Sequence, residues 1–232
     1  MHTERIRPPR ALWVPFELGR PFGAPDRPEF QLDVLRNTLS LLARPSGPVL
    51  EDYPREAPEV EDADAGWACP IPLPPPRNGA SDADRLARSL VDEVARLRPW
   101  YEESRRARGR TTFGLSGLPP EEIEAIAEFL ARFAVGERPT LPAGVRHEWP
   151  WALRFLADDA KAYYCEAVAA QPGQPSPSAR RLGRWLFGET VLGAVLFRTL
   201  DRVRSSEDAS EQRLERVLVP VLHRHLRPTE PT

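Results

Sequence analysis

Apolar residues recur at steps of three and four along most of the chain, which is the spacing of one face of a helix. The first such stretch follows Pro28, and its stripe consists of Leu32, Leu35, Leu39 and Leu42. Asp26 and Glu29 have the spacing of a capping box at the start of this helix. We expect the leucine stripe to be the buried face of the helix.

A second helical stretch begins at Ser81, a residue type that commonly caps helices, and extends to Gly109. Pro99 is expected to end or kink it, because proline lacks the amide hydrogen that a helix interior needs. The apolar stripe of this helix consists of Leu86, Leu90, Val94 and Leu97. This spacing again predicts one buried face.

Short apolar runs between the helical stretches predict strands. Ala11–Phe16 is the first, Val49-Leu50 opens a shorter second one, and Thr111–Leu115 predicts a third. Strands that alternate with helices are typical of a parallel sheet. The expected fold class is therefore α/β, with a small parallel sheet layer and helices, followed by an all-helical C-terminal part.

The second half of the chain carries helical spacing only. Helices are predicted over Trp151–Ala170, over Ser178–Ser205 and near Ser210–Leu226. We expect an α/β domain over residues 1–140 and a helical region over residues 141–232. A proline-rich loop at residues 54–80 is expected to pack Trp67 over the carboxyl edge of the sheet.

Composition narrows the class of protein. The 232 residues carry a formal charge of −2, which disfavours nucleic-acid binding through bulk charge. No apolar stretch is long enough to cross a membrane, and no apolar segment follows the charged N-terminus. Two cysteines, Cys69 and Cys165, form no disulfide framework. We expect a cytoplasmic protein that has neither a membrane nor a nucleic acid as partner.

Acidic residues mark one candidate site. At about 100° per residue, Asp159 and Glu166 lie within about 20° of each other beside Tyr163. Glu189 falls inside the apolar stripe of the next predicted helix, so its carboxylate is expected to be buried and therefore paired, metal-bound or protonated. The four residues could line a polar pocket, or Glu189 could form a structural ion pair with an arginine, Arg154 or Arg184. No metal site is predicted, because the Glu-x-x-His pairs of a di-iron centre are missing.

Two loops offer further candidates. Cys69 stands between Trp67 and Pro70, where it could be a packed hydrophobic residue or a nucleophilic thiol. Gly19 and Arg20 follow the first predicted strand and precede a helix. Ligands of open α/β sheets bind outside the carboxyl ends of strands, and a helix N-terminus favours an anion.

Three segments resemble a known family. Residues 14–25 (VPFELGRPFGAP), 159–164 (DAKAYY) and 185–190 (WLFGET) are similar to short proteins related to selenoprotein B. Selenoprotein B is the B component of glycine, sarcosine, betaine and D-proline reductases. The resemblance implies an oxidoreductase that acts on a small amine or amino-acid derivative through a thiol, and Cys69 is the candidate for that thiol.

Two functions therefore remain open. One is the thiol-dependent reductase, in which Asp159, Tyr163, Glu166 and Glu189 would shape a substrate pocket together with Gly19 and Arg20. The other is a non-catalytic module that binds a small molecule or a protein partner and keeps the fold without a redox centre. The low cysteine count favours the second function, and the sequence identifies no cofactor for either.

Overall fold

The computed structural model describes residues 2–16, 20–23, 27–57, 67, 81–173 and 177–227. The chain divides into two compact units, Met1–Ala63 and Asp64–Thr232. Most of the described residues lie in helices, and a two-stranded parallel sheet belongs to the first unit. None of the described helices combines the length and the apolar character needed to cross a membrane.

The first unit is a strand–helix–strand arrangement that begins with the short helix α1 (His2–Ile6). Strand β1 (Arg10–Trp13) and strand β2 (Val49–Asp52) pair in parallel, with Arg10 opposite Val49. Helix α2 (Pro28–Ser40) connects them and continues into a 3-10 turn, Leu41–Ala43. The expectation of a small parallel sheet at the start of the chain is confirmed. Strand β1 is shorter than expected and ends before Pro15, which has no amide to donate.

The leucine stripe of α2 is not the buried face that its spacing predicted. Phe30 and Val34 are the buried residues of this helix, and they pack with Tyr53, which follows β2. The four leucines of the stripe are instead exposed, by 38% to 71% of their surface. A two-stranded sheet offers little surface to cover, and the face of α2 that bears Phe30 and Val34 occupies it.

The second unit is built from helices. In chain order they are α3 (Asp82–Arg108), α4 (Ile123–Ala134), α5 (Trp151–Ala169), α6 (Ala179–Gly188), α7 (Val191–Arg204), α8 (Ala209–Gln212) and α9 (Glu215–Leu218). Two 3-10 turns, Pro120–Glu122 and Val221–Leu226, precede α4 and follow α9. As expected, Ser81 caps α3, and its hydroxyl accepts a hydrogen bond from the amide of Asp84.

Helix α3 is the longest element and runs through Pro99 without a break. It ends at Gly109, whose φ of 63° is the left-handed conformation that glycine adopts most easily. Helices α4 and α5 pack along α3, and α7 packs against α4. The buried rings of Tyr101 on α3 and Tyr163 on α5 stack with their centroids 4.2 Å apart.

Three sequence expectations differ from this architecture. Residues 111–115 form turns and irregular backbone instead of a third strand. The division between the units lies at residues 63 and 64, so α3 and α4 belong with the helices of the second unit, whereas the expected α/β domain extended to residue 140. Trp67 is buried in the core of the second unit, where its ring contacts that of Trp185 of α6. The remainder of the proline-rich stretch from residue 58 to residue 80 lies outside the described residues.

Candidate functional site

Asp159 is fully buried and holds the backbone of the segment 114–116. Its Oδ1 accepts hydrogen bonds from the amides of Gly114 (2.9 Å) and Leu115 (2.8 Å). Its Oδ2 accepts from the amide of Ser116 (3.0 Å) and from the Ser116 hydroxyl (2.6 Å). Gly114 and Gly117 have φ values of 120° and 94°, which let the segment curl around the carboxylate. Three successive amides thus form a concave anion site that Asp159 itself occupies.

Glu166 holds the residues just before this segment. Its Oε1 accepts hydrogen bonds from the amide and the hydroxyl of Thr112, at 2.6 Å and 2.7 Å. Its Oε2 accepts from the hydroxyl of Thr111 at 2.7 Å. The sequence correctly places Asp159 and Glu166 on one side of α5, but it does not reveal that both carboxylates tether residues 111–116.

Tyr163 lies between these two carboxylates along α5 and has a packing role. Its hydroxyl donates to the backbone carbonyl of Val94 at 3.3 Å, and its ring stacks on Tyr101. Burial raises the pKa of the Tyr163 phenol, which keeps the group neutral at physiological pH. The three residues share one side of α5, but each is bound to a different segment of the fold, and their hydrogen bonds hold these segments together.

Glu189 does not join them. It follows the last residue of α6, half of its side chain is exposed, and it forms an ion pair of 2.5 Å with Arg181. The expected partners, Arg154 and Arg184, are wrong, as is the expected burial. The reason is a break in the helix: α6 ends at Gly188, and Thr190 caps a new helix, α7, so the spacing across residues 178–205 does not describe one face.

The buried acid near this break is Glu93 of α3, which the sequence analysis missed. Its carboxylate accepts hydrogen bonds from the Tyr164 hydroxyl (2.6 Å) and from the first two amides of α7, those of Val191 (2.9 Å) and Leu192 (3.0 Å). Burial raises its pKa to about 7, although these hydrogen bonds favour the charged form. The sequence does indicate that Glu93 is buried, because Glu93 stands three residues after Leu90 and four before Leu97, inside the apolar stripe of α3.

The remaining predicted residues lie in loops or outside the described residues. Cys69 and Gly19 lie outside them. Arg20 opens a turn in which its carbonyl accepts from the amide of Gly23 at 2.9 Å. Cys165, the other cysteine, has its pKa raised to about 11 by burial. A thiol with that pKa is almost entirely protonated at neutral pH and is a poor nucleophile.

A cavity of about 630 Å³ opens in the first unit at the start of α2. Three arginines line it, Arg27, Arg36 and Arg55, together with Pro28, Glu29, Phe30 and Asp33. The N-terminus of a helix that crosses between parallel strands is the edge at which α/β folds bind ligands. In the sequence, Gly19 and Arg20 precede this helix, and their role in ligand binding stays a prediction.

Positively charged side chains outnumber negatively charged ones around this cavity. The Asp33 carboxylate is already engaged, because its Oδ2 accepts from the Tyr53 hydroxyl at 2.5 Å and from Arg55 at 3.1 Å. Arg55 also lies over the ring of Phe30, 5.3 Å from its centroid. Arg27 and Arg36 add two further guanidinium groups, and Arg27 occupies the cap position of α2 without a side-chain cap bond. Two acids, Glu29 and Asp33, stand against the three arginines, so the cavity lining carries one net positive charge.

A second cavity, of about 480 Å³, lies between α7 and α8 in the second unit. Glu211 on its wall is buried and accepts hydrogen bonds from Arg138 (3.0 Å), the Trp149 indole (2.7 Å) and the Ser206 hydroxyl (2.7 Å). Arg202 donates to the backbone carbonyls of Phe133 and Glu137. Glu211 and Arg202 are thus engaged in hydrogen bonds that hold neighbouring segments of the second unit together.

Comparisons with known proteins assign neither a family nor a function to the chain. No family model, no curated protein and no solved structure matches the chain. Within the part of the chain that the structure describes, no group of three or more histidine, cysteine, aspartate or glutamate residues is placed to hold a metal ion. The site therefore has to be interpreted from its own geometry.

Proposed function

We propose that the chain is a small-ligand-binding module, and that its first unit holds the carboxylate or phosphate group of a small molecule in the arginine-lined cavity. The observation that carries this proposal is the cavity itself, in which Arg27, Arg36 and Arg55 converge at the start of α2. A guanidinium group offers paired donors that match the oxygen atoms of carboxylates and phosphates. The volume of about 630 Å³ lies within the range of small-molecule sites.

Two features of the cavity support an organic ligand that bears the anion. Phe30 contributes an aromatic ring, and Arg55 is already positioned against that ring and against Asp33. A preordered arginine loses less freedom when it binds an anion than a mobile one would. The adjacent first turn of α2 adds its positive end, because the first amides of a helix have no acceptor within the helix.

The thiol-dependent reductase has less support from the described residues. Cys165 is partly buried, and its pKa is raised to about 11 by desolvation. Asp159, Tyr163 and Glu166 are committed to hydrogen bonds within the fold, and Glu189 is on the surface. The reductase depends on Cys69 and stays a prediction from the family resemblance.

Calorimetric titration of the full chain with inorganic phosphate and with acetate tests the proposed binding. We expect one site per chain, and we expect Arg36→Gln to weaken binding about tenfold or more, the effect of losing one charge-assisted hydrogen bond. Arg216→Gln is the matched control, because Arg216 is an exposed arginine of α9 in the second unit. Its affinity should equal that of the wild-type chain.

Two results would contradict the proposal. One is the absence of any phosphate or acetate binding by the wild-type chain at low ionic strength. The other is binding that weakens equally in Arg36→Gln and Arg216→Gln, which would show that the anions respond to overall charge and not to this cavity.

A further inference from the structure

Helix α2 presents an apolar face that the first unit leaves exposed. Leu32 and Leu35 are exposed by 48% and 38%, and Leu39 and Leu42 by 61% and 71%. Their spacing is three, four and three residues. This is the repeat with which a helix packs its leucines against those of another helix.

The surface of α2 divides into three faces. At about 100° per residue, Phe30 and Val34 form the buried face. Asp33 and Arg36 lie on the face that lines the arginine cavity. The third face, which we call the leucine face, consists of Leu32, Leu35 and Leu39 together with Leu42 in the 3-10 turn that continues α2, and its centre lies about 140° around the helix from the centre of the buried face.

The first unit leaves further large apolar side chains exposed. Besides the leucine face, it exposes Trp13 and Leu50 on its strands and Phe22 before α2. Its own core is small and centres on Phe30, Val34 and Tyr53. Contiguous exposed apolar surface on a folded unit marks a place where a protein partner binds.

The spacing of the leucines indicates which partner fits. A helix with leucines at steps of three and four is needed opposite the leucine face, and α2 of a second copy is such a helix. The described part of the second unit offers no matching stripe, since its exposed large apolar residues are Leu115, Trp151 and the adjacent pair Val221 and Leu222, which do not recur at steps of three and four. The uncharged Gln31 and Thr38 flank the leucine face on one side, and Glu29 and Arg36, which carry opposite charges, flank it on the other.

We propose that the chain forms a homodimer in which the leucine faces of two α2 helices, Leu32, Leu35, Leu39 and Leu42 of each copy, pack against each other about a two-fold axis. Such an interface is self-complementary, because each copy contributes the same residues. Its formation buries eight leucine side chains, four from each copy, at one interface. The proposed dimer does not require the proposed ligand, since none of the four leucines lines the arginine cavity.

Sedimentation equilibrium of the full chain tests the dimer. The wild-type chain should sediment with the mass of two 26.1 kDa chains at micromolar and higher concentrations. Leu35→Glu and Leu39→Glu should each raise the dissociation constant about a hundredfold or more, because both place a charge in the seam. Circular dichroism should show unchanged helix content, since neither residue contributes to the buried core.

Leu222→Glu is the control. Leu222 is as exposed as Leu39 but lies in the second unit, so this variant should remain a dimer. A wild-type chain that sediments as a monomer at every concentration would overturn the proposal, even if a glutamate variant failed to fold. A dimer that persists in both Leu35→Glu and Leu39→Glu would overturn it as well, because the interface would then lie elsewhere.

Discussion

Asp159 accepts two hydrogen bonds from Ser116, one from its backbone amide at 3.0 Å and one from its hydroxyl at 2.6 Å. The two residues are 43 positions apart in the sequence, and both are completely buried. Together with the bonds from Gly114 and Leu115, this contact satisfies the carboxylate and fixes a segment without regular secondary structure onto α5. A residue that could have been a ligand-binding acid is thus a structural anchor.

We expect Asp159→Asn to destabilise the protein by about 3 kcal/mol. The neutral amide cannot accept all four hydrogen bonds, and its NH₂ group would face backbone amides that are also donors. Urea unfolding measures the change, and Asp158→Asn is the control. Asp158 is partly exposed and pairs with Lys161 and Arg154 but accepts no backbone amide in the described structure, so its loss should cost less, about 1 kcal/mol. If Asp159→Asn were as stable as wild type or more stable, the carboxylate would instead be held for a ligand.

The sequence predicted those features that depend on local spacing. Helix α3 begins at Ser81 as expected, the first two strands pair in parallel, and Asp159 and Glu166 share one side of α5. The cap and the shared side of α5 follow from residues within a few turns of one another, and the parallel pairing follows from the order strand, helix, strand. Hydrophobic periodicity and capping are sufficient for such predictions.

The features that the sequence did not predict depend on distant contacts or on a break in a pattern. The partners of Asp159 lie more than 40 residues away, and nothing near Asp159 identifies them. The burial of Glu189 was expected from a continuous helix, but the helix ends at Gly188. The leucines of α2 have the spacing of a buried face, yet spacing cannot show which of two apolar faces packs on the sheet.

Glu189→Gln should change the free energy of unfolding by no more than about 0.5 kcal/mol. The side chain is half exposed, and its ion pair with Arg181 lies at the surface, where such pairs contribute little. Thermal unfolding of the variant and of wild type provides the measurement. A loss of several kcal/mol would show that Glu189 is buried, which would contradict its position after α6.

Cys165 should react slowly with iodoacetamide at neutral pH. Burial raises the pKa of its thiol to about 11, so almost no thiolate is present. The reaction can be followed by mass spectrometry of the intact chain and of its peptides, and the chain unfolded in urea gives the unhindered rate as the control. Rapid labelling of Cys165 in the folded chain would show that α5 opens on the time scale of the reaction. Labelling of Cys69 in the same experiment reports directly on the thiol that the reductase prediction requires.

Glu93 should make the stability of the protein fall as the pH rises from about 4.5 to about 7. Burial raises the pKa of its carboxyl from 4.5 to about 7, so the folded state binds a proton in this range that the unfolded state has released. The stabilisation by the protonated form is complete below the unfolded pKa and is lost as the pH passes the folded one. A shift of this size corresponds to about 3 kcal/mol, since each pKa unit contributes about 1.4 kcal/mol.

Urea unfolding of wild type and of Glu93→Gln between pH 4.5 and pH 8 isolates this contribution, because glutamine does not titrate. The stability of wild type relative to the variant should fall by about 3 kcal/mol across the range. Glu102→Gln, an exposed substitution on the same helix, should leave the pH dependence of wild type unchanged. If the difference between wild type and Glu93→Gln were constant with pH, the carboxylate would keep an ordinary pKa. The hydrogen bonds from Tyr164, Val191 and Leu192 would then compensate fully for its burial.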